Sequence, residues 1–195
     1  MKKLYLAILL CLCIPLTACG GSGARTGFDT LSSKMRDASA LSFEARIRAE
    51  YDDNTAEFTL AYAEKDGETT VTVISPDIIR GVSAHVKSGE TALEYEGVML
   101  DTGSLDSFGL SPMSALPLLA ETLRTGYLDS AWDEGEVRCA VLVPSDGVSV
   151  EVHMDKYTQT PLTAEISSDG RVRVFAEITG WTLTDGTAEE EITEE

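Results

Sequence analysis

Apolar residues recur along this chain with two different periods, and the secondary structure is expected to change where the period does. Phe28, Leu31, Met35 and Ala38 follow helical spacing, with Asp29 or Thr30 available as an N-cap, so an amphipathic helix opens the ordered part of the chain. From Phe43 the period is two. Phe43, Ala45, Ile47, Ala49 and Tyr51 alternate with Glu44, Arg46, Arg48 and Glu50, as in a half-buried strand whose successive side chains point to opposite faces. Phe58, Leu60 and Tyr62 predict a second strand, Val71 and Val73 a third, Val82, Ala84 and Val86 a fourth, and Leu93 with Tyr95 a fifth. Turn signals separate them at Asp52-Asp53-Asn54, Asp66-Gly67, Pro76-Asp77 and Ser88-Gly89, which predicts an antiparallel meander with one dry and one wet face, ending at Gly97. Ser111 then caps a second helix with Pro112 at its first position and Met113, Leu116, Leu119 and Leu123 on one face; Pro117 should kink or split it. Strands resume over 137–143, 148–154, 162–166 and 172–178, with turns at Pro144-Ser145-Asp146-Gly147 and Ser168-Asp169-Gly170. Nine or ten strands and two helical regions make one α+β domain.

The ends of the chain carry different information. Lys2 and Lys3 precede an apolar run over 4–14 that is too short for a stable membrane span, and Leu16-Thr17-Ala18-Cys19 closes it, which is the anatomy of a secretory signal. The last four residues resemble the lipobox of bacterial lipoproteins. That resemblance implies a diacylglyceryl group on the Cys19 sulfur and cleavage after Ala18. The expected organisation is a signal over 1–18, a flexible linker over 19–27, a domain over 28–182 and an acidic, disordered tail over 183–195. The chain has 15 basic and 33 acidic residues; removing Lys2 and Lys3 leaves 13 against 33, a net charge of −20. Nucleic acid is excluded as a partner, because binding it rests on neutralising phosphates with Lys and Arg. Six carboxylates and no base over 185–195 give the tail its solvating character.

Candidate catalytic chemistry is sparse. Cleavage would leave Cys139 as the one thiol of the domain, on the apolar side of a strand pattern with Val137, Val141 and Val143, which reads as a buried structural cysteine. His85 and His153, the only imidazoles, fall on the polar sides of different strands, and no Cys/His spacing suggests zinc, so no cofactor is expected. Asp101-Thr102-Gly103-Ser104 after Val98-Met99-Leu100 resembles the nucleophile-activating loop of aspartic proteases. That chemistry needs two such loops sharing a proton, and this chain has one. The same triplet also reads as an ordinary turn.

The order of elements, with Ser75-Pro76-Asp77-Ile78-Ile79-Arg80-Gly81-Val82, Leu93-Glu94-Tyr95-Glu96-Gly97 and the stretch over 152–180, resembles the superfamily of the lipoprotein carriers LolA and LolB, the lipid-binding mycobacterial lipoproteins and the RseB-type envelope sensors. The turn from Asp155 to Leu162 is similar to that family's Asp-x-x-Thr-Gly-x-Pro-Leu, with Gln159 in place of the Gly. The resemblance implies a strongly curved antiparallel β half-barrel with helices covering its concave apolar face. It also implies a non-enzymatic, monomeric lipoprotein held on the outer side of the bacterial cell membrane. Such a protein would bind a lipid, acyl chain or other apolar ligand in a cleft lined by Phe43, Ala45, Ile47, Phe58, Leu60, Leu116, Leu119 and Leu123. The alternative on the same fold is an envelope sensor or interaction module with a protein partner and no ligand transport; a protease acting through Asp101-Thr102-Gly103 is third. Cys19→Ser should abolish both lipidation and cleavage after Ala18, because the sulfur is the acyl acceptor. An unchanged intact mass with retained detergent partitioning would refute the anchor.

Overall fold

A computed structural model describes residues 21–51, 54–104 and 111–186. The elements in chain order are α1 (Gly21–Asp37), β1 (Ala38–Tyr51), β2 (Asn54–Lys65), β3 (Glu68–Ser75), a short 3-10 turn (Asp77–Ile79), β4 (Ser83–Lys87), β5 (Glu90–Tyr95) and β6 (Val98–Ser104). They continue with α2 (Pro112–Thr125), β7 (Tyr127–Glu134), β8 (Val137–Ser145), β9 (Val148–Asp155), β10 (Pro161–Ser168) and β11 (Arg171–Asp185). The eleven strands form one antiparallel sheet in the order β6-β5-β4-β3-β2-β1-β11-β10-β9-β8-β7. Two meanders, β1 to β6 and β7 to β11, meet at the long β1–β11 pairing, in which Ile47 lies opposite Ala176. The sheet is curved and unclosed, so the fold is the expected α+β half-barrel.

Alternation builds the core. On β1, Leu41, Phe43, Ala45, Ile47 and Ala49 are buried while the residues between them are exposed. The same face continues through Leu60 and Tyr62, Val71 and Val73, and on the other side through Ala176, Ala164, Val152 and Ala140. β11 is bent by a bulge opposite Phe43, where Gly180 has φ +64°, a conformation that favours a residue without Cβ. The bend places Trp181 on the ring of Phe43 at 5.0 Å between centroids, and Tyr62 stacks on Phe43's ring at 4.7 Å. Three neighbouring strands are thus tied by one aromatic stack.

The structure departs from expectation at both ends of α1. The helix begins at Gly21, so most of the glycine-rich stretch read as a flexible spacer is helical, and Ala38, read as helical, starts β1. The reason is burial: Ala24, Phe28, Leu31 and Met35 form one stripe against the core. Seventeen residues of helix reach about 25 Å, and five strand spacings span about 24 Å. That match lets α1 cross from β7 past β8 to β11 and β1. α2 has the expected cap: Ser111 Oγ accepts from Ser114 N at 3.2 Å and Ser114 Oγ accepts from Ser111 N at 2.8 Å. Pro117 sits inside α2 without splitting it. β11 runs to Asp185, beyond the expected domain end at 182, and two strands are new, β6 and β7. The Asp101-Thr102-Gly103 triplet therefore lies within β6 rather than in a turn. Most of the expected tail falls outside the described residues, as do Cys19 and the signal.

One glycine explains how α1 docks. A Cβ on Gly27 would lie 1.4 Å from Arg138 Nη1. Arg138, 7% exposed, is fixed by Asp133, which accepts from Arg138 Nε at 2.8 Å and Nη2 at 3.3 Å. Asp133 also accepts from Lys156 at 3.0 Å. Gly27→Ala is expected to destabilise the protein by about 1–3 kcal/mol in urea unfolding, because displacing a mostly buried, paired Arg outweighs the roughly 1 kcal/mol that Ala gains over Gly in a helix. In an Arg138→Ala background the same change should become neutral or stabilising.

Candidate functional site

The residues expected to line a cleft are brought together, but as core. Phe43, Ala45, Ile47, Leu60, Leu116, Leu119 and Leu123 are each 3% exposed or less, and Phe58 is partly buried against them in the same cluster. Ala45, Ile47, Leu60, Leu119 and Leu123 have no accessible area, which means that no water-sized space touches their side chains. They belong to one buried cluster in which Leu119 and Leu123 of α2 join the strand residues and Phe28, Leu31 and Met35 of α1.

A polar clamp holds the helices over this core. Arg124 at the end of α2 donates from Nη2 to both oxygens of Glu64 on β2 at 2.9 Å, and from Nε to the carbonyl of Met35 on α1 at 3.3 Å. The Arg124 carbonyl in turn accepts from Ser32 Oγ at 2.9 Å and from Arg36 Nη1 at 3.0 Å. Tyr62 donates to Glu64 at 2.7 Å. Burial first, then the Glu64 carboxylate, push the Tyr62 phenol well above its ordinary value, so it remains a donor. One side chain, Arg124, thereby joins both helices to the sheet.

The apolar surface that is open lies elsewhere. α1 and α2 make their main contacts with β1, β2, β3, β7, β8 and β11, leaving the wing formed by β4, β5 and β6 beyond them. Ala84 faces the core; Leu93 lies opposite Ala84, Leu100 opposite Leu93, and Val98 opposite Tyr95, so all share the concave face. Tyr95 is 46% exposed, Val98 70% and Leu100 62%. Val82, Ile79 and Phe58 continue this surface inward to the core as partly buried side chains. Only the inner part of the wing was anticipated from sequence. The available signal was the pair Leu93-Tyr95 and Val98-Leu100 on either side of Glu96-Gly97, an alternation that reads as a hairpin.

The groups with chemical potential are engaged in pairs on the outer face. His85 Nε2 lies 3.0 Å from Glu94 and its Nδ1 3.3 Å from Thr70, beside an open depression of about 420 Å³ lined also by Glu68, Lys87 and Asp101. His153 Nε2 lies 2.9 Å from Glu151. Cys139 is buried, but on the face opposite to the main core: its neighbours Arg138 and Ala140 lie opposite Met154 and Val152, which point inward, whereas Cys139 lies opposite His153. Burial, reinforced by Glu134, Glu151 and Asp133, pushes its thiol upward, away from the reactive thiolate. Asp101 is exposed on β6 opposite Ala92. Among the described residues no group of three or more His, Cys, Asp or Glu could hold a metal ion, and no helix is long and apolar enough to cross a membrane.

The Asp155 turn shows why a Gly suits its fifth position. Asp155 Oδ1 accepts from the backbone of Tyr157 and Thr158 and from Thr158 Oγ1, which forces Gln159 to φ +61°.

No family model matches the sequence, and no curated protein matches it. Solved structures do resemble it. An uncharacterized conserved protein from Thermus thermophilus is 13% identical over 83% of this chain and 88% of that one, with a TM-score of 0.50. A LolA superfamily protein from Nitrosomonas europaea is 13% identical over 83% and 94%, with a TM-score of 0.46. The lipoprotein LppX from Mycobacterium tuberculosis is 10% identical over 81% and 94%, with a TM-score of 0.39. Arg124→Met should lower stability by about 2–3 kcal/mol, less than a fully buried pair because both partners remain about one-fifth exposed. A cycle with Glu64→Gln in urea unfolding should return a coupling of about 1 kcal/mol or more. At identities this low the likeness is one of architecture alone: a curved, unclosed antiparallel sheet with helices on one face.

Proposed function

We propose that this chain is a lipid-anchored protein of the outer side of the bacterial cell membrane that binds an apolar ligand, an acyl chain being the chemistry that fits, on the concave face of its half-barrel. The observation that supports this reading is the wing beyond the reach of α1 and α2, where Tyr95, Val98 and Leu100 present exposed apolar side chains that a water-soluble protein ordinarily buries. The anchor is Cys19. The site that an acyl chain would enter first is the wing; the residues from Phe43 to Leu123 would become accessible to it only if the Arg124 clamp released α1 and α2. Binding by shape and apolar area needs no catalytic group, in keeping with imidazoles engaged with carboxylates and a thiol held protonated. The interaction-module reading has its own support in the filled core beneath the helices.

A fluorescent fatty acid distinguishes the sites. Leu100→Glu, at an exposed position, should leave stability within about 0.5 kcal/mol while weakening fatty-acid binding at least tenfold. Ala45→Trp should cost about 1–3 kcal/mol by overpacking yet leave binding intact. If instead Ala45→Trp abolishes binding and Leu100→Glu does not, the ligand lies under the helices. If the unmodified protein binds no fatty acid, the interaction module is the correct reading.

A further inference from the structure

The two edges of the sheet are finished differently. β7, at one end, carries a bulge between Leu128 and Ser130, and its carbonyls at Leu128 and Asp129 accept from Arg25 of α1 at 3.4 and 3.2 Å. Asp129, Asp133 and Glu134 add charges along it. Irregularity, covering contacts and charge are the devices by which sheets keep their edges from pairing. β6, at the other end, is regular, apolar and exposed over Val98-Met99-Leu100; its charge and its register shift come after that stretch, at Asp101 and Thr102.

The backbone direction of β6 follows from its hairpin. Glu96 and Gly97 form a two-residue loop with φ +50° and +80°, so the flanking pair Tyr95 and Val98 exchange hydrogen bonds, as do Leu93 and Leu100 two residues on. The N–H and C=O of Met99 therefore point away from β5, toward the open side. Among the described residues no strand pairs with that side. A further strand laid there would set alternate side chains beside Val98 and Leu100 on the concave face, and the others beside Met99 and Asp101 on the outer face.

The charges select the occupant. Residues 90–104 contain Glu90, Glu94, Glu96 and Asp101 and no base, in a chain of net charge −18. A second copy would bring the same carboxylates against themselves. We propose that β6 is a docking edge for an extended segment of a partner protein in which apolar residues alternate with Lys or Arg. The apolar residues extend the concave face, the backbone completes the ladder at Met99, and the basic residues meet the carboxylates of β5 and β6. This docking uses the strand's edge and does not depend on whether the wing also holds an acyl chain.

The test uses the full chain and two capped heptapeptides, one alternating Val with Lys and the other Val with Glu, read by fluorescence anisotropy and by amide hydrogen exchange. The Val-Lys peptide should bind, weaken as salt rises, and protect the Met99 amide, while the Val-Glu peptide should not bind. Met99→Pro removes the outward N–H without touching the β5 ladder, a position at which edge strands accept Pro. It should weaken the Val-Lys peptide about tenfold, the cost of an edge hydrogen bond and the local fit of the strand. Met99→Lys, which keeps the backbone, should weaken it through charge. Equal binding of both peptides, unchanged binding by both variants, or protection that avoids Met99 would overturn the proposal. So would a dimer of the unliganded chain that Met99→Pro dissociates, since the occupant would then be a second copy.

Discussion

A single antiparallel sheet with one apolar face must bury that face, and among the described residues two helices, of 17 and 14 residues, are available to do it. Everything else follows from where those helices lie. α1 crosses from β7 to β1 because its length matches that span, and its glycine at position 27 lets it settle against the Arg138 guanidinium. α2 lies beside it, and Arg124 fastens both to β2 through Glu64. The clamp is placed where the helices end, so one charged side chain holds their C-terminal turns together. The residues beneath are closed to water, and the strands beyond the helices are not.

The division gives the molecule two functional regions of different physical character. Beneath the helices lies a dense core whose contribution is stability. Opening it would require separating a salt bridge that is about one-fifth exposed, together with the backbone bonds around it. On the wing of β4, β5 and β6 the same apolar face continues beyond the cover of α1 and α2, with Tyr95, Val98 and Leu100 exposed. An apolar ligand is therefore expected to reach the wing at lower cost than the core. The contrast between the two sheet edges reinforces this asymmetry, since the end under α1 is capped and charged, while the other is regular, apolar and exposed over Val98-Met99-Leu100.

The outer face carries the charge. Arg46 pairs with Glu177 at 3.4 Å, Arg48 lies 5.3 Å from the centre of the Phe175 ring, and His85 and His153 each engage a Glu. Exposed pairs of this kind contribute little to stability. They place ion pairs on the side of the sheet opposite the core.

The alternation of apolar and polar residues, the turn signals and the Ser111-Pro112 start were enough to read a one-faced antiparallel sheet and its second helix from the chain alone, because period and capping are local properties of the backbone. The bend at Gly180 and the left-handed Gln159 equally follow from short-range chemistry. What the sequence could not disclose was which part of the apolar face would be covered. Phe43, Leu60 and Val71 carry the same local signal as Tyr95, Val98 and Leu100, yet the first group became core and the second open surface. Alternation identifies a face and not what lies on it; that depends on the reach of α1, begun at Gly21 because Ala24 and Phe28 find partners far away in the chain. Strands β6 and β7 were missed for a related reason, since an edge strand has one neighbour and needs less of the two-sided pattern that marks a strand within the sheet. Tertiary packing alone decided which edge α1 capped, which edge has no further strand among the described residues, and where the exposed apolar surface of the wing came to lie.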